Sequence, residues 1–307
     1  MRRDKYSVLY TLHVMPNEIY ELGRIVEIIE KSTFNNPNVD VTIYVDLNLS
    51  DEYTNWDESI LKRDFIESIL NSQIDKSRRN LNIISNVKVT GHWGVNATRR
   101  SVIREFKDTF DYISFIDCDI MFSDDAMDYV YETLEKVEGE FLIFSGMLPK
   151  MWNANFSELV HPTYKDHDNK NTHSKVDPLT INRFHKKQKN RIGFTDEVVI
   201  GGGWFNVFST TIFDYVDIPD ELGVYGIDDH WIQECCKFLN KNGWDIKQCY
   251  NTKFIVFENH GRKFEFDPKY LVDNDKLTKK FMYEKNAKNM ERELWGKFVK
   301  DTLKKYF

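Results

Sequence analysis

The first part of the chain alternates between segments patterned like buried strands and segments patterned like amphipathic helices. In the helical segments apolar residues recur at three- and four-residue spacing, as Ile19, Leu22 and Ile25 do. The pattern predicts strands at residues 5–14, 39–47, 86–90 and 112–117, and helices at residues 17–32, 57–74 and 96–107. Such alternation favours an α/β fold in which helices flank a mostly parallel central sheet.

The second part of the chain is less regular. The pattern predicts a helix at residues 123–138 with Ser123 as its N-cap, strands at 140–148 and 253–261, an ordered segment at 197–216, a helix at 227–244 that ends near Gly243, and a helical tail at 269–307. Residues 150–195 lack periodicity and are rich in polar and aromatic residues. A stretch of that length inside a compact domain is typical of a lid or a binding loop.

Composition narrows the class of protein. The chain has 307 residues, of which 41% are hydrophobic, so it can form a substantial core. Its apolar runs are shorter than a membrane span, and no signal peptide is recognisable at the N-terminus, which predicts a soluble, cytoplasmic protein. The four cysteines have neither paired nor zinc-type spacing, which indicates reduced, structural thiols.

Two carboxylates, Asp117 and Asp119, stand where the predicted strand at 112–117 ends. Ligands of such sheets bind outside the carboxyl ends of the strands. Residues at i and i+2 point the same way, and two close carboxylates repel each other unless a cation lies between them. This pattern predicts a Mn²⁺ or Mg²⁺ site, with Cys118 facing the core. The alternative is a helix-capping acidic cluster, because Asp124 and Asp125 follow.

Three consecutive glycines, Gly201, Gly202 and Gly203, follow an apolar run and precede Trp204. Glycine lets a ligand approach the backbone closely, and the aromatic side chain offers a flat surface for a sugar or a base. The glycines and Trp204 therefore form a candidate ligand loop. The alternative is a strand bulge or a tight turn.

A second acidic pair, Asp228 and Asp229, opens the predicted helix at 227–244. An N-terminal position is natural for carboxylates and is expected to lower their pKa values. One of them is also a candidate general base for an acceptor hydroxyl. His260 follows the last predicted strand and could complete a metal site, although a lone histidine is more often a satisfied polar residue.

Residues 161–194 form a basic segment, in which eight Lys and Arg residues face only three aspartates. The tail at 269–307 adds eleven Lys and Arg against six acidic residues. These segments are candidate surfaces for a diphosphate or for an anionic acceptor such as nucleic acid, or else solvated mobile chain. The formal net charge of the whole chain, −7, argues against general DNA binding.

Taken in this order over residues 5–262, the motifs resemble the glycosyltransferases of GT-A fold, a Rossmann-like architecture, and most closely those of family 2. The matching motifs are DLNLSD at 46–51, the run from HWGVNATRR to FIDCDIMF, GGGW at 201–204, IDDHW at 227–231 and His260. The resemblance implies nucleotide-sugar contacts from Asp46, Arg99, Arg100, Asp117, Gly201, Gly202, Gly203 and Trp204, metal contacts from Asp117, Asp119 and His260, and catalytic roles for Asp229 and Asp228.

The resemblance also implies a domain organisation. Residues 1–268 would form the catalytic domain, with a nucleotide-binding half at 1–120 and an acceptor half at 121–268 that contains the variable loop at 150–195. Residues 269–307 would form a helical extension.

The activity that the resemblance implies is metal-dependent transfer of a sugar from a nucleotide sugar, with a UDP-sugar favoured, to an acceptor hydroxyl. The family's acidic motif is usually Glu-Asp, whereas here it is Asp228-Asp229. Asp229 is then the expected base in an inverting displacement, and a retaining mechanism is the alternative. The acceptor is a glycan, a lipid, a protein or hydroxymethylated DNA; the last would place the protein, encoded by a phage, in the host cytoplasm.

Two other functions compete. A nucleotidyltransferase that activates a sugar phosphate would share the alternating fold, but it normally has a glycine- and arginine-rich loop after the first strand. The corresponding segment here, TLHVMPNE, has no glycine. A non-catalytic sugar-binding module would not need two acidic pairs.

Overall fold

The computed structural model describes residues 5–14, 19–48, 60–75, 80–88, 95–118, 120–137, 139–145, 188–198, 204–222, 228–258, 292–301 and 304. Its first part consists of strands β1 (Tyr6–Val14), β2 (Val39–Asn48), β3 (Asn82–Lys88) and β4 (Tyr112–Asp117), with helices α1 (Ile19–Asn35), α2 (Ile60–Ile74) and α3 (Val95–Phe106). The predicted alternation is therefore confirmed in this part of the chain.

The second part contributes shorter strands. They are β5 (Ile120–Met121), β6 (Leu142–Ser145), β7 (Ile192–Phe194), β8 (Phe205–Ser209), β9 (Lys247–Asn251) and β10 (Phe257–Glu258). The helices are α4 (Ala126–Lys136), α5 (Asp228–Lys241) and α6 (292–301), together with 3-10 turns at Thr210–Asp214 and Asp220–Leu222. Gly243, with φ +95°, follows the end of α5, as the sequence predicts.

Eight strands form one sheet in the order β3-β2-β1-β4-β8-β6-β9-β7, and β10 pairs with β5 in a separate two-stranded sheet. The pairs β3–β2, β2–β1, β1–β4 and β6–β9 are parallel, whereas β8 and β7 run antiparallel to their neighbours. Only two of the eight strands therefore run against the common direction, which confirms the predicted mixed α/β fold with a mostly parallel sheet.

Helices cover both faces of the sheet. Alternate residues of β1 separate into two buried clusters, with Val8, Tyr10 and Leu12 on one side and Leu9 on the other. The first cluster is completed by α1, α2 and α4, and the second by α3, α5 and α6. Cys118 belongs to the first cluster, so it faces the core as predicted. All four cysteines are buried, free thiols.

Several predicted elements differ from the structure. Strand β3 begins four residues before the predicted position, because it is a half-buried edge strand whose residues do not follow a clear apolar alternation. Ser123 is not the N-cap of α4; that position belongs to Asp125, whose side chain makes no capping hydrogen bond. Strands β7 and β9 were not predicted, since they are short and rich in polar residues.

None of the helices in the described part of the chain combines the length and the apolar character that a membrane crossing requires. Helix α6 confirms a helical segment within the tail, and the rest of residues 269–307, apart from residue 304, lies outside the described ranges.

Four phenylalanines join β8 and β6 to the segments that follow β5 and β9. The ring of Phe254 lies 4.4 Å from that of Phe205 and 5.3 Å from that of Phe144, and it stacks on Phe122 at 6.1 Å. Phe254 is fully buried. The cluster therefore fixes the turn between β5 and α4 against the second half of the sheet.

We expect Phe254→Ala to lower the free energy of unfolding by about 3–5 kcal/mol, because it leaves a cavity inside this cluster. Urea denaturation monitored by circular dichroism would measure the loss. Phe34→Ala is the matched control, since Phe34 is 83% exposed; its effect should stay within about 0.5 kcal/mol. Equal losses in the two variants would contradict the assignment of Phe254 to the core.

Candidate functional site

The candidate site lies at the carboxyl edge of the parallel strands. In the sheet register His13 is the partner of Asp46 on one side and of Asp117 on the other. All three residues share the face of the sheet that α3 and α5 cover, because they continue the alternation of Leu9, Tyr44 and Phe115. Three ionisable side chains are thus aligned across β2, β1 and β4.

Asp46 is held inside the protein. The hydroxyl of Thr98, on α3, donates to Oδ2 of Asp46 at 2.8 Å, and Nδ1 of His13 lies 3.5 Å from the same oxygen. Asp46 is 1% exposed. Asp46, a predicted nucleotide contact, is therefore covered by Thr98 and His13 and is not exposed at the carboxyl edge of the sheet.

Arg99, the next residue of α3, joins two separate parts of the fold. Its Nη1 donates to Oδ2 of Asp228 at 2.7 Å, at the first residue of α5, and its Nη2 donates to Oδ1 of Asp117 at 2.9 Å, at the end of β4. The guanidinium carbon lies 5.1 Å from the ring centroid of Phe115. Burial opposes the charge of Arg99, but Asp228 and then Asp117 outweigh it and raise the pKa of the guanidinium.

The pair Asp228 and Asp229 has two environments. Asp228 is buried and ion-paired with Arg99, whereas Asp229 is partly buried. Burial, and then the charge of Asp228, raise the pKa of Asp229 to about 6, against the opposing effects of Arg99, the backbone N–H of His230 and the His230 side chain. The expectation that the helix N-terminus lowers this pKa is wrong for Asp229, because desolvation and a neighbouring like charge exceed the helix dipole.

Arg100 lies in a different environment from Arg99. Its Nε and Nη2 donate to the carbonyls of Ile218 and Pro219 at 2.7 and 2.9 Å, and its Nη1 lies 2.9 Å from Asp220. Arg100 therefore binds the segment that precedes α5. The structure does not bring Arg100 together with Asp46, Asp117 or Asp228.

The same segment is attached to α3 at further points. Asn96 donates to the carbonyl of Leu222 at 3.3 Å, Arg104 binds Asp217 at 2.6 Å, and Lys107 binds Asp214 at 2.5 Å. These contacts, with those of Arg100, fasten residues 214–222 along α3. The start of α5 is thereby held against α3 through the preceding chain as well as through Arg99.

The chain around Asp117 is connected to other predicted site segments. The backbone N–H of Asp117 donates to the carbonyl of Trp204 at 3.0 Å. Beyond Asp117, Arg24 of α1 donates to the carbonyl of Ile120 at 2.6 Å and lies over the ring of Phe122. Trp204, a predicted ligand contact, therefore adjoins the end of β4.

Several predicted site residues lie outside the described ranges: Asp119, Gly201, Gly202, Gly203 and His260, with most of the segment at 150–195. The strands next to two of them are described, and β10 pairs with β5 so that Glu258 is opposite Ile120. Within the described ranges, which omit Asp119 and His260, no group of three or more His, Cys, Asp or Glu side chains could hold a metal ion.

The sequence interpretation missed His13 and Thr98. The signal for His13 was its position at the end of β1, level with the ends of β2 and β4. The signal for Thr98 was its place on α3 directly before Arg99. Neither signal identifies the partner side chain, because the partners lie on other elements.

Comparison with solved structures gives weak similarities. Staphylococcus aureus TarS 1–349 is 11% identical over 81% of this chain and 59% of its own length, with a TM-score of 0.44. The complex of TarS 1–349 with UDP-GlcNAc is 10% identical over 82% of this chain and 57% of its own length, at 0.41. WbbM, a bifunctional glycosyltransferase, is 15% identical over 67% of this chain and 32% of its own length, with a TM-score of 0.33.

No protein-family model and no curated protein sequence matches the chain. The chain spans about three fifths of the length of TarS 1–349 or less, depending on the structure compared.

We expect Thr98→Val to lower the free energy of unfolding at pH 7 by about 1–3 kcal/mol, since it removes a hydrogen bond to a buried carboxylate. Urea denaturation would measure the change. Thr109→Val, at an exposed position after α3, is the matched control and should change stability by about 0.5 kcal/mol or less. If both variants were equally stable, the Thr98–Asp46 contact would not hold Asp46 in place.

Proposed function

We propose that the chain is a glycosyltransferase of GT-A fold, which transfers a sugar from a UDP-sugar to an acceptor hydroxyl with inversion and with the help of Mn²⁺ or Mg²⁺. The observation that supports this most is the position of the Asp228-Asp229 pair. Arg99 binds both Asp228 and Asp117, so the start of α5 lies one guanidinium away from the carboxyl end of β4.

This arrangement suits a displacement between two substrates. The donor diphosphate would lie at the carboxyl ends of the strands, where ligands of such sheets bind. The acceptor hydroxyl would lie at the start of α5, near a base. A base and a leaving group on opposite sides of the reacting carbon are what a single displacement with inversion requires.

Asp229 is the better candidate for the base. The carboxylate of Asp228 is buried and bonded to Arg99, while Asp229 is partly buried and its pKa is raised to about 6. A carboxylate with this pKa is ionised at neutral pH and accepts a proton more readily than an ordinary one. The neighbouring Asp228 would then act by holding the start of the helix.

The proposed metal ligands are Asp117, Asp119 and His260. Carboxylate oxygens with an imidazole nitrogen suit Mn²⁺, and Asp117 keeps 34% of its side chain exposed at the sheet edge. The pairing of β10 with β5 supports the set, because it brings the chain that precedes His260 alongside the chain that follows Asp119. When bound, the ion would neutralise the charge of the departing diphosphate.

The glycine loop is proposed to contact the donor through its backbone. Gly201, Gly202 and Gly203 lead into Trp204, whose carbonyl accepts a hydrogen bond from Asp117. Trp204, the described residue that follows these glycines, therefore lies beside the proposed metal ligand Asp117. Asp46, buried under Thr98, would support the nucleotide side of the site from behind.

The acceptor is proposed to be a glycan, a lipid or a protein, with hydroxymethylated DNA as a further candidate through the basic segments at 161–194 and 269–307. The described part of the tail, helix α6, packs on the catalytic part of the chain, which favours a structural role for it over acceptor binding. Its residues Trp295 and Phe298 pack on Trp231 of α5, and Lys297 lies 3.9 Å from Glu221.

The test is a panel of UDP- and GDP-sugars, assayed for nucleotide release with Mn²⁺, with Mg²⁺ and with EDTA. The assay is run without acceptor, where slow hydrolysis reports donor turnover, and with hydroxymethylated and unmodified DNA. We expect metal-dependent release of UDP from at least one donor. Absence of release from every donor, at a protein concentration that detects one turnover per hour, would refute the proposed function.

Asp229→Asn should lower kcat by about 10²- to 10⁴-fold while the Km for the donor changes little, because the variant loses the base and keeps the shape. Asp228→Asn is the matched neighbour and should retain more activity. Initial rates of nucleotide release would measure both. The reverse order of activities would move the base to Asp228.

The pH dependence of kcat/Km should show an acid limb near pH 6 rather than near pH 4. Asp229 must be ionised to accept a proton, and its pKa is raised to about 6 by burial and by Asp228, with Arg99 and His230 opposing. Below that pH the rate should fall tenfold per unit. Asp229→Asn should lose this limb, and a limb that persists in the variant would show that another group titrates.

A further inference from the structure

Arg99 uses both ends of its guanidinium on the protein. One nitrogen donates to Asp117 and the other to Asp228, which lie 18 and 129 positions away in the chain. The guanidinium carbon lies over the ring of Phe115. The side chain is 7% exposed. A residue placed in this way offers little surface to a nucleotide sugar.

The contacts of Arg99 instead connect two working parts of the site. Asp117 ends the strand at which the donor and its metal ion would bind, and Asp228 begins the helix that carries Asp229. The hydrogen bonds fix both carboxylates relative to one rigid, planar group. A displacement of either element by about 1 Å would move the base and its acceptor hydroxyl away from the donor sugar, which can cost about 100-fold in rate.

The charge of Arg99 has a second effect. Asp117, Asp228 and Asp229 bring three carboxylates to one region, and Arg99 carries a positive charge that offsets them. Without Arg99, Asp228 would lose the ion pair that compensates its burial. Arg99 thus both fixes the relative position of Asp117 and Asp228 and offsets their charges.

We propose that Arg99 is a positioning residue, which couples the donor end of β4 to the start of α5, and that it is not a contact for the nucleotide sugar. This inference rests on the proposed function for what the two ends do. The coupling itself is a property of the three side chains, and it can be tested without turnover.

Lysine cannot replace arginine here. Its single ammonium group can bind one carboxylate closely, but it lacks the fork that reaches two carboxylates at once. Arg99→Lys therefore keeps the charge and loses the bridge, whereas Arg99→Met loses both. Arg104 on the same helix provides the control, because it also binds aspartates, Asp217 and Asp220, but is 51% exposed and makes these contacts to the segment before α5.

The first measurement is independent of activity. Carbon-13 NMR of aspartate carboxyls would follow the titration of Asp229 in the wild type, Arg99→Lys, Arg99→Met and Arg104→Met. We expect its pKa to rise by about one unit in Arg99→Met, because an opposing positive charge is lost, and to be unchanged in Arg104→Met. An unchanged titration in a folded Arg99→Met would overturn the proposal.

The second measurement uses the donor found in the nucleotide-sugar panel. We expect kcat for nucleotide release to fall about 100-fold in Arg99→Met and about 10-fold in Arg99→Lys, with the Km for the donor nearly constant. A large rise in Km with kcat retained would instead make Arg99 a donor contact. If neither variant folds by circular dichroism, Arg99 belongs to the core and the positioning role is wrong.

The two proposals fail in different ways. If the wild type releases nucleotide from no donor, the proposed function is refuted, and the carboxyl titration still decides whether Arg99 acts on the start of α5, as the coupling of β4 to α5 requires. If the wild type is active and Arg99→Met retains both its kcat and the pKa of Asp229, the proposed function stands and the positioning role is refuted.

Discussion

The candidate site depends on the two ion pairs of the buried Arg99 guanidinium. The guanidinium lies between a carboxylate at the end of β4 and another at the start of α5. Taking these charges out of water costs several kcal/mol for each ion, so the arrangement persists only because the hydrogen bonds are short and well placed. Removing one partner of such a group typically costs about 3–5 kcal/mol, which makes the relative position of the two elements strongly determined.

Helix α3 organises the rest of the site in the same way. Thr98 binds Asp46 on β2, Arg99 binds the end of β4 and the start of α5, and Arg100 binds the chain before α5. Val102 and Ile103 bury the side of the helix that rests on the sheet. The apolar contacts thus hold the helix on the sheet, and its polar side chains bind residues of β2, β4 and α5. One helix therefore determines the layout of the carboxyl edge.

The extent to which the sequence predicts the fold follows from the range of the interactions. Strands β1, β2 and β4 are long and apolar, so local alternation identifies them, whereas β7 and β9 are short, polar and stabilised by pairing with distant strands. The end of β4 at Asp117 and the start of α5 at Asp228 were predicted to within one residue, whereas the starts of β3 and α4 were not. The partner of Arg99 could not be predicted, because the contact with Asp228 spans 129 positions and no periodicity encodes it.

The contrast between Asp228 and Asp229 shows how one motif can supply two chemical roles. Successive residues of a helix point about 100° apart, so one carboxylate meets Arg99 while the other remains partly exposed at the helix start. Burial, and then the ion-paired charge of Asp228, raise the pKa of Asp229, while Arg99 limits the rise. The carboxylate of Asp228 can act on the pKa of Asp229 in this way as long as Arg99 and the start of α5 keep their positions. The side chain that positions the two halves of the site is therefore also one that sets the proton affinity of the proposed base.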